Sequence, residues 1–431
     1  MLSTETSAAP KIGWIERMGI HPPLALGYLG LLLFMIGDGV ESGFLSPYLV
    51  EKGFHEQQVA MIFTAYGLSA AVAAWLSGAL SDLWGPRRVM LCGWSIWFLF
   101  HICFLTLGIA SGHPLTMTLF YAIRGLGYPL FAFGFLVWVT AVTPAQRLGT
   151  AVGWFWFAFT AGLPTLGSLL ASSLVPWLGP LPTLWASLGL VLLGGAVVFL
   201  GVREQTGRRR LAAENASPLE TLLSAVTIAW KEPKLLAGCL VRIINTAPQF
   251  GFLVFLPVYF TKTVGFTLPE WLRLLSLIFL SNILWNLLFG IIGDRLGWRR
   301  TVALCGGFGS AVTTLMLYYV PHLFGANFPL AALAGMAYGA TLAGYVPLSA
   351  LMPSLAPQHR GAAMSMLNLG AGTSVWAGPA IVALFLPTLG IVGIMWIFSG
   401  LYLVSSLLTL TLTLPVEQPF PQEAIRIQVS P

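Results

Sequence analysis

The chain has 431 residues, of which 57% are hydrophobic and only 8% are charged, with a mean hydropathy of +0.83 and a formal net charge of +6. A soluble domain carries about 25% charged residues, so this chain cannot cover a water-facing surface, and an integral membrane protein is the class that remains. The positive balance is not a nucleic-acid signal, because its placement follows membrane topology.

A helix needs roughly 20 apolar residues to cross the hydrocarbon. Residues 1–20 are mixed polar with no apolar core or small-residue cleavage site, so a cleavable signal peptide is not expected, and 1–23 reads as a cytoplasmic tail. Twelve apolar runs follow, near 24–46, 57–80, 89–110, 115–139, 149–174, 182–202, 235–260, 271–293, 301–320, 328–352, 361–385 and 389–413. The fold class is therefore all-α integral membrane, with a six-helix unit over 24–202 and a second over 235–413. The stretch 203–234 holds Arg203, Arg208, Arg209, Arg210, Lys231 and Lys234 and reads as the linker between them. Ser217-Pro218 predicts a short surface helix through Trp230, with Pro218 at its first position. Residues 414–431 form a second tail.

Lys and Arg concentrate on the cytoplasmic side of a membrane protein. With the N-terminus inside, sixteen of the 21 Lys and Arg residues fall on that side, three (Lys52, Lys262, Arg273) on the other, and two (Arg124, Arg242) within spans. This asymmetry predicts both termini in the cytoplasm and, with no secretory leader, an inner, plasma-membrane location. Asn215-Ala216-Ser217 fits a glycosylation triplet but falls on the cytoplasmic side. Cys92, Cys103, Cys239 and Cys305 lie in apolar runs without metal-ligand spacing, so no metal is expected.

One pattern is written twice. Gly78, Asp82, Gly85, Arg87 and Arg88, after the second run, recur as Gly290, Asp294, Gly297, Arg299 and Arg300 after the eighth, each 212 residues on. Arg295 follows Asp294, where the first copy has Leu83. A weaker echo sets Thr143-Pro144-Ala145-Gln146-Arg147 against Ala356-Pro357-Gln358-His359-Arg360. A chain that repeats at half its length inside apolar sequence is a duplicated membrane bundle.

Charges at bilayer depth are costly and mark functional positions. Asp38 and Glu41 are three apart, which would put both carboxylates on one face of the first helix, and the glycines around Asp38 soften that helix. Crowding two buried carboxylates favours a proton on one of them. Arg124 in the fourth run is the natural counter-charge, either as a plain ion pair or as part of proton and substrate handling. Arg242, Asn245 and Gln249 share one face of the seventh run. Asn282 and Asn286 do so on the eighth, and Asn368 stands singly on the eleventh; each amide would line a cavity or bond a neighbouring helix. Trp154 and Tyr345, beside small residues in mid-bundle runs, are candidate cavity walls, against ordinary packing. His101, alone on an apolar run, reads as a satisfied core residue. The four intramembrane charges sum to zero, which favours a neutral cargo over a dicarboxylate.

No phosphate-binding G-x-x-x-x-G-K loop, zinc-type spacing or G-x-S-x-G elbow occurs, so neither an ATP motor nor an enzyme is expected, and no cofactor.

The doubled G-x-x-x-D-x-x-G-x-R-R resembles the signature loop of the major facilitator superfamily over residues 24–413. Within it, Gly37-Asp38-Gly39-Val40-Glu41, Ser46-Pro47-Tyr48-Leu49, Arg124-Gly125-Leu126-Gly127-Tyr128-Pro129 and Arg242-Ile243-Ile244-Asn245-Thr246 are similar to bacterial ribitol and arabinitol permeases and a related α-ketoglutarate permease branch. Leu83 departs from the usual basic residue, and the sugar-porter signatures P-E-S-P-R and P-E-T-K-G are absent. The resemblance implies a secondary active transporter in which two halves rock about a central site. Asp38, Glu41 and Arg124 would couple the proton, and the polar residues above would bind the solute. Gly78, Asp82, Gly85, Arg87 and Arg88 with Gly290, Asp294, Arg295, Gly297, Arg299 and Arg300 would latch the cytoplasmic gate in the outward-open state. The expected activity is proton-coupled uptake of a pentitol by a single chain in the bilayer. The alternatives are an α-ketoglutarate symporter, a proton-antiport exporter of amphipathic compounds, or a sensor on the same bundle.

Overall fold

The computed structural model describes residues 15, 20–144, 148–211, 232–356 and 360–414. The expected helix at Ser217-Pro218, the Asn215 triplet and Arg147 lie outside them. All the regular secondary structure among the described residues is helical. The spans are α1 (Pro22–Gly39, resuming as Leu45–Glu51), α2 (Glu56–Trp84), α3 (Pro86–Ile109), α4 (Pro114–Val142), α5 (Ala151–Leu178), α6 (Pro180–Gly201), α7 (Pro233–Val264), α8 (Leu268–Leu296), α9 (Trp298–Phe324) and α10 (Phe328–Leu355). The last helical stretch, Arg360–Thr411, runs for 52 residues. At 1.5 Å per residue that is about 78 Å, more than twice a hydrocarbon core. Gly390, with φ 64° and ψ −173°, breaks it into α11 (360–389) and α12 (391–411). Twelve spans result among the described residues.

The helix ends follow from local chemistry. Left-handed backbone suits glycine, and every positive-φ residue among the described ones is a glycine at a connection: Gly53, Gly85, Gly112, Gly179, Gly265, Gly297, Gly325 and Gly390. Proline follows at once in Gly85-Pro86 and Gly179-Pro180, where it opens the next helix without losing a bonded N–H. These turns also carry the duplication. Gly53 and Gly265, Gly85 and Gly297, Gly112 and Gly325, and Gly179 and Gly390 are separated by 211 to 213 positions.

Close helix contacts repeat with the same register. A Cβ on Gly39 of α1 would lie 1.7 Å from the Leu163 carbonyl of α5, and one on Gly167 would lie 2.5 Å from Gly39. In the second half a Cβ on Gly378 of α11 would lie 1.8 Å from the Ala247 carbonyl of α7 and 2.7 Å from Gly251. Large apolar side chains such as Leu99, Leu119, Leu200, Leu284 and Leu407 remain exposed on the outside, where a bilayer would cover them.

Three spans are interrupted near mid-depth. α1 leaves the helix at Val40–Phe44, α4 has a one-residue break at Leu126, and α10 is interrupted between Ala343 and Leu348. Broken helices at this depth are tolerated where the freed backbone lines a cavity or is bonded by protein. In α1 the freed groups are partly met locally, with Ser42 N–H donating to the Gly39 carbonyl and Leu45 N–H to that of Glu41.

A charge cluster and an open side form the candidate transport site

The α1 break decides how the first two acids are used. Asp38 sits in the last turn of the helix and Glu41 in the break, so they do not share one regular helical face as the spacing predicts. Both still reach Arg124 of α4. Arg124 Nη1 donates to Glu41 Oε2 at 2.7 Å, and Nη2 donates to Glu41 Oε1, a bidentate pair. Asp38 Oδ1 lies farther from Nη2, at 3.6 Å. All three residues are 5% exposed or less. Tyr121 Oη–H donates to Glu41 Oε1 at 2.8 Å and Trp97 Nε1–H to Asp38 Oδ1 at 2.6 Å.

Arg124 is boxed by rings. Its Cζ lies 4.7 Å from the Tyr121 centroid, 5.0 Å from Trp97, 5.4 Å from Tyr66 and 5.9 Å from Phe104. Such faces favour a desolvated guanidinium. His101 belongs to the same cluster. Arg124 Nη1 donates to His101 Nδ1 at 2.7 Å, which requires the ring proton on Nε2, facing the Leu184 carbonyl at 3.1 Å. The histidine is a satisfied core residue, but its partner is the buried arginine, a link that the sequence reading did not make.

With both acids ionised the cluster carries one surplus negative charge; with one proton it is neutral. The more weakly held acid is Asp38, because Glu41 takes two guanidinium bonds.

The second half is arranged differently. Arg242 of α7 donates from Nη1 to Asn245 Oδ1 on its own helix, and no described carboxylate lies within ion-pair distance of it. The buried Asn245 Nδ2 has no partner. Gly370 of α11 backs this arginine: an added Cβ would meet Arg242 Cβ at 3.0 Å. Gln249 lines a cavity of about 20 Å³ among α7, α8 and α10, with Phe252, Trp271 and Tyr338. Asn368 is exposed one turn from Gly372, which faces Ala71 of α2 in the other half.

Other candidates are engaged in packing. Asn282 Nδ2 donates to the Gly339 carbonyl at 3.1 Å, joining α8 to α10, and Asn286 Nδ2 reaches Asn282 Oδ1 at 3.4 Å. Tyr345 is buried, with its hydroxyl on Ser405 Oγ at 2.9 Å, so it fills the α10–α12 seam rather than a cavity wall. Trp154 is partly buried on α5, edge-on to Phe157.

The two halves meet on the side away from the doubled loops. Trp271 Nε1–H of α8 donates to the Gly43 carbonyl in the α1 break at 2.8 Å. Ser46 Oγ–H donates to the Val254 carbonyl and Ser276 Oγ–H to that of Thr165 at 3.2 Å. Lys262 and Glu51 form an exposed pair at 3.3 Å. Sequence reading named Ser46 only within a family-like stretch and Lys262 only as an outer-side charge, and it missed Trp271, Ser276 and Glu51 as contacts between the halves. On the loop side, an added Cβ on Gly78 or Gly290 meets no described atom within 4 Å. Gly78 shares the α2 face of Gly67 and Ala71, and Gly290 the α8 face of Leu272, which are faces that touch the other half farther from the doubled loops. The printed polar contacts between the halves lie on one side, while Gly78 and Gly290 on the doubled-loop side are uncovered.

The first loop is tied to its own half. Arg87 donates to the Phe199 carbonyl and, at 2.6 Å, to that of Val202, capping the end of α6. Leu211 N–H of the linker donates to the Asp82 carbonyl at 3.0 Å. In the second loop Trp298 Nε1–H donates to Asp294 Oδ1 at 2.8 Å.

Twelve spans, a duplication in register and a buried charge cluster at broken helices are joined by one further finding: residues 27–285 and 270–429 match the Major Facilitator Superfamily. The chain belongs to that family. Its relatives include an α-ketoglutarate permease of Bacillus subtilis (strain 168), 44% identical over 93% of this chain and 91% of that one. A D-arabinitol transporter of Klebsiella pneumoniae is 36% identical over 94% of this chain and 95% of that one. Among solved structures, the nucleoside transporter NupG superposes with a TM-score of 0.71 at 16% identity, covering 91% of this chain and all of that one; this likeness concerns the fold. This superfamily member is a membrane transporter of small molecules and not an enzyme.

Proposed function

We propose that this transporter imports a small organic acid together with a proton. One observation carries the reading: the charges are divided unequally between the halves. Both carboxylates are bound to Arg124, which leaves Arg242 without a described acid and Asn245 Nδ2 unpaired beside it. A cargo carboxylate would satisfy both groups, because a guanidinium and an amide N–H are its natural donors. The sequence-level sum of four charges pointed to a neutral cargo; their distribution favours an anionic one. The relative named for α-ketoglutarate transport agrees with this chemistry. A second reading, a pentitol, is supported by the relative named for D-arabinitol and by the neutral amides Gln249 and Asn368.

In this mechanism Asp38 exchanges the proton and Glu41 holds Arg124 in register. The Lys and Arg distribution favours a cytoplasmic position for the doubled loops, and in that orientation this conformation faces inward. Trp271, Ser46 and Ser276 close the outer side. In the opposite state the Gly78 and Gly290 faces would be covered and the two loops would latch across the halves. One chain encloses the pathway, so the monomer is the working unit.

The test is uptake of labelled α-ketoglutarate, D-arabinitol and ribitol into proteoliposomes under an inward proton gradient. The account expects accumulation of α-ketoglutarate that is lost in Arg242→Gln. Accumulation of the pentitols alone would overturn the organic-acid reading and leave the pentitol one.

A further inference from the structure

A second basic site lies outside the transport pathway. On the doubled-loop side, Arg87, Arg88, Leu91, Phe199 and Arg208 line a cavity of about 300 Å³ where α3, α6 and the linker meet. Its polar wall is cationic. Arg87 is fixed by the α6 carbonyls it caps. Arg88 is exposed in the first turn of α3, whose N-terminal end adds partial positive charge. Arg208 ends a short turn, Thr206–Arg208, that is itself anchored.

The anchor explains why the positive charge is not cancelled. Glu204 accepts from Trp138 Nε1–H of α4 at 2.5 Å, from Thr206 N–H at 2.9 Å and from Gly207 N–H at 3.3 Å. Gly207 lies against the Trp138 ring, where an added Cβ would be 2.3 Å from Cε2. Burial pushes the Glu204 carboxyl up, but these hydrogen bonds outweigh it and hold it below the usual carboxylate range. The carboxylate is committed to Trp138 of α4 and to the turn's own N–H groups, and it does not line the cavity. Among the described residues, no acid pairs with Arg88 or Arg208.

The remaining wall is apolar. Leu91 is 47% exposed, and Leu200, next to Phe199, is 79% exposed, so the cavity opens onto the surface that faces hydrocarbon. Three guanidiniums at the interface above an apolar, lipid-facing wall match one kind of molecule. Phosphate oxygens would take the guanidinium N–H groups, and an acyl chain would cover Leu91 and Phe199. We propose that this cavity is a binding site for an anionic phospholipid of the leaflet on the doubled-loop side, its phosphate bridging Arg88 of the signature loop and Arg208 of the linker. The site is independent of the cargo and of the coupling residues.

The test is native mass spectrometry of the full chain released from nanodiscs. Nanodiscs of phosphatidylethanolamine alone are compared with nanodiscs that also contain phosphatidylglycerol. One phosphatidylglycerol should remain per chain, and its retention should fall about thirtyfold in R88Q/R208Q, the effect of two cations at the membrane surface. R88K/R208K, which keeps the charge, should retain the lipid, and R203Q, outside the cavity, should match the parent chain. Equal retention of the zwitterionic lipid would overturn the proposal, as would unchanged retention in R88Q/R208Q. Displacement of phosphatidylglycerol by inorganic phosphate at millimolar level would show a site for soluble phosphate instead. If R88Q/R208Q does not fold, the lipid preference of the parent chain and of R88K/R208K still decides.

Discussion

Trp271→Phe is the most informative single change on the closed side of the bundle. The indole N–H donates to the Gly43 carbonyl across the two halves at 2.8 Å, while the ring stacks on Phe260 within its own half at a centroid distance of 4.9 Å. Phenylalanine preserves the stack and removes the donor. A net hydrogen bond is worth about 0.5–1.5 kcal/mol, and this one exists only while the halves are closed here, so the whole loss falls on one conformer. A change of about 1 kcal/mol shifts the closed-to-open ratio about fivefold. Spin labels at Glu51 and Lys262, an exposed pair on opposite halves, report the separation by pulsed dipolar spectroscopy. The open-state distance should gain population about fivefold without loss of thermal stability. An unchanged distribution would refute the assignment of Trp271 as a closing contact.

Other consequences follow from the same geometry. Removing one partner of a buried ion pair costs about 3–5 kcal/mol because the other charge is left uncompensated. Arg124→Leu should therefore lower the melting temperature sharply, and adding Glu41→Leu should restore part of the loss; both are read by thermal unfolding in detergent. Gly78→Leu and Gly290→Leu meet open space in the present state. They should leave thermal stability nearly unchanged yet abolish uptake, by blocking the state in which those faces are covered. The hydrogen bonds that depress the Glu204 pKa hold the linker most firmly at pH above the ordinary carboxylate range. Their contribution is lost as pH falls through the depressed folded value. Limited proteolysis at the linker should accelerate only in strong acid for the parent chain, and already at neutral pH for Glu204→Gln.

Much of the architecture was legible in the sequence because it rests on local rules. Apolar run length gave twelve spans, and the doubled Gly-Asp-Gly-Arg-Arg pattern gave the register of duplication. The intramembrane charges were legible for a similar reason: a lone Asp or Arg in an apolar run stands out. What escaped depends on how distant segments cross. Glu41 and Arg124 are 83 positions apart, and Trp271 and Gly43 are 228 apart. No periodicity reports that His101 faces Arg124, or that Tyr345 turns to Ser405. The break at Val40–Phe44 was hinted at by Gly37 and Gly39, but its extent was not, since Gly39 is also needed for the close approach of Leu163. Summing charges suggested a balanced site, and only the geometry separated the occupied Arg124 from Arg242.

In the proposed mechanism Asp38 carries the coupled proton while Glu41 and Arg124 stay paired. The direct measurement compares Asp38→Asn with the parent chain in proteoliposomes, under an imposed proton gradient and in substrate counterflow. Asparagine can still accept from Trp97 Nε1–H and bears no charge, so it mimics the protonated site. The account predicts loss of gradient-driven accumulation with counterflow retained. Accumulation at the parent level under the gradient would contradict it.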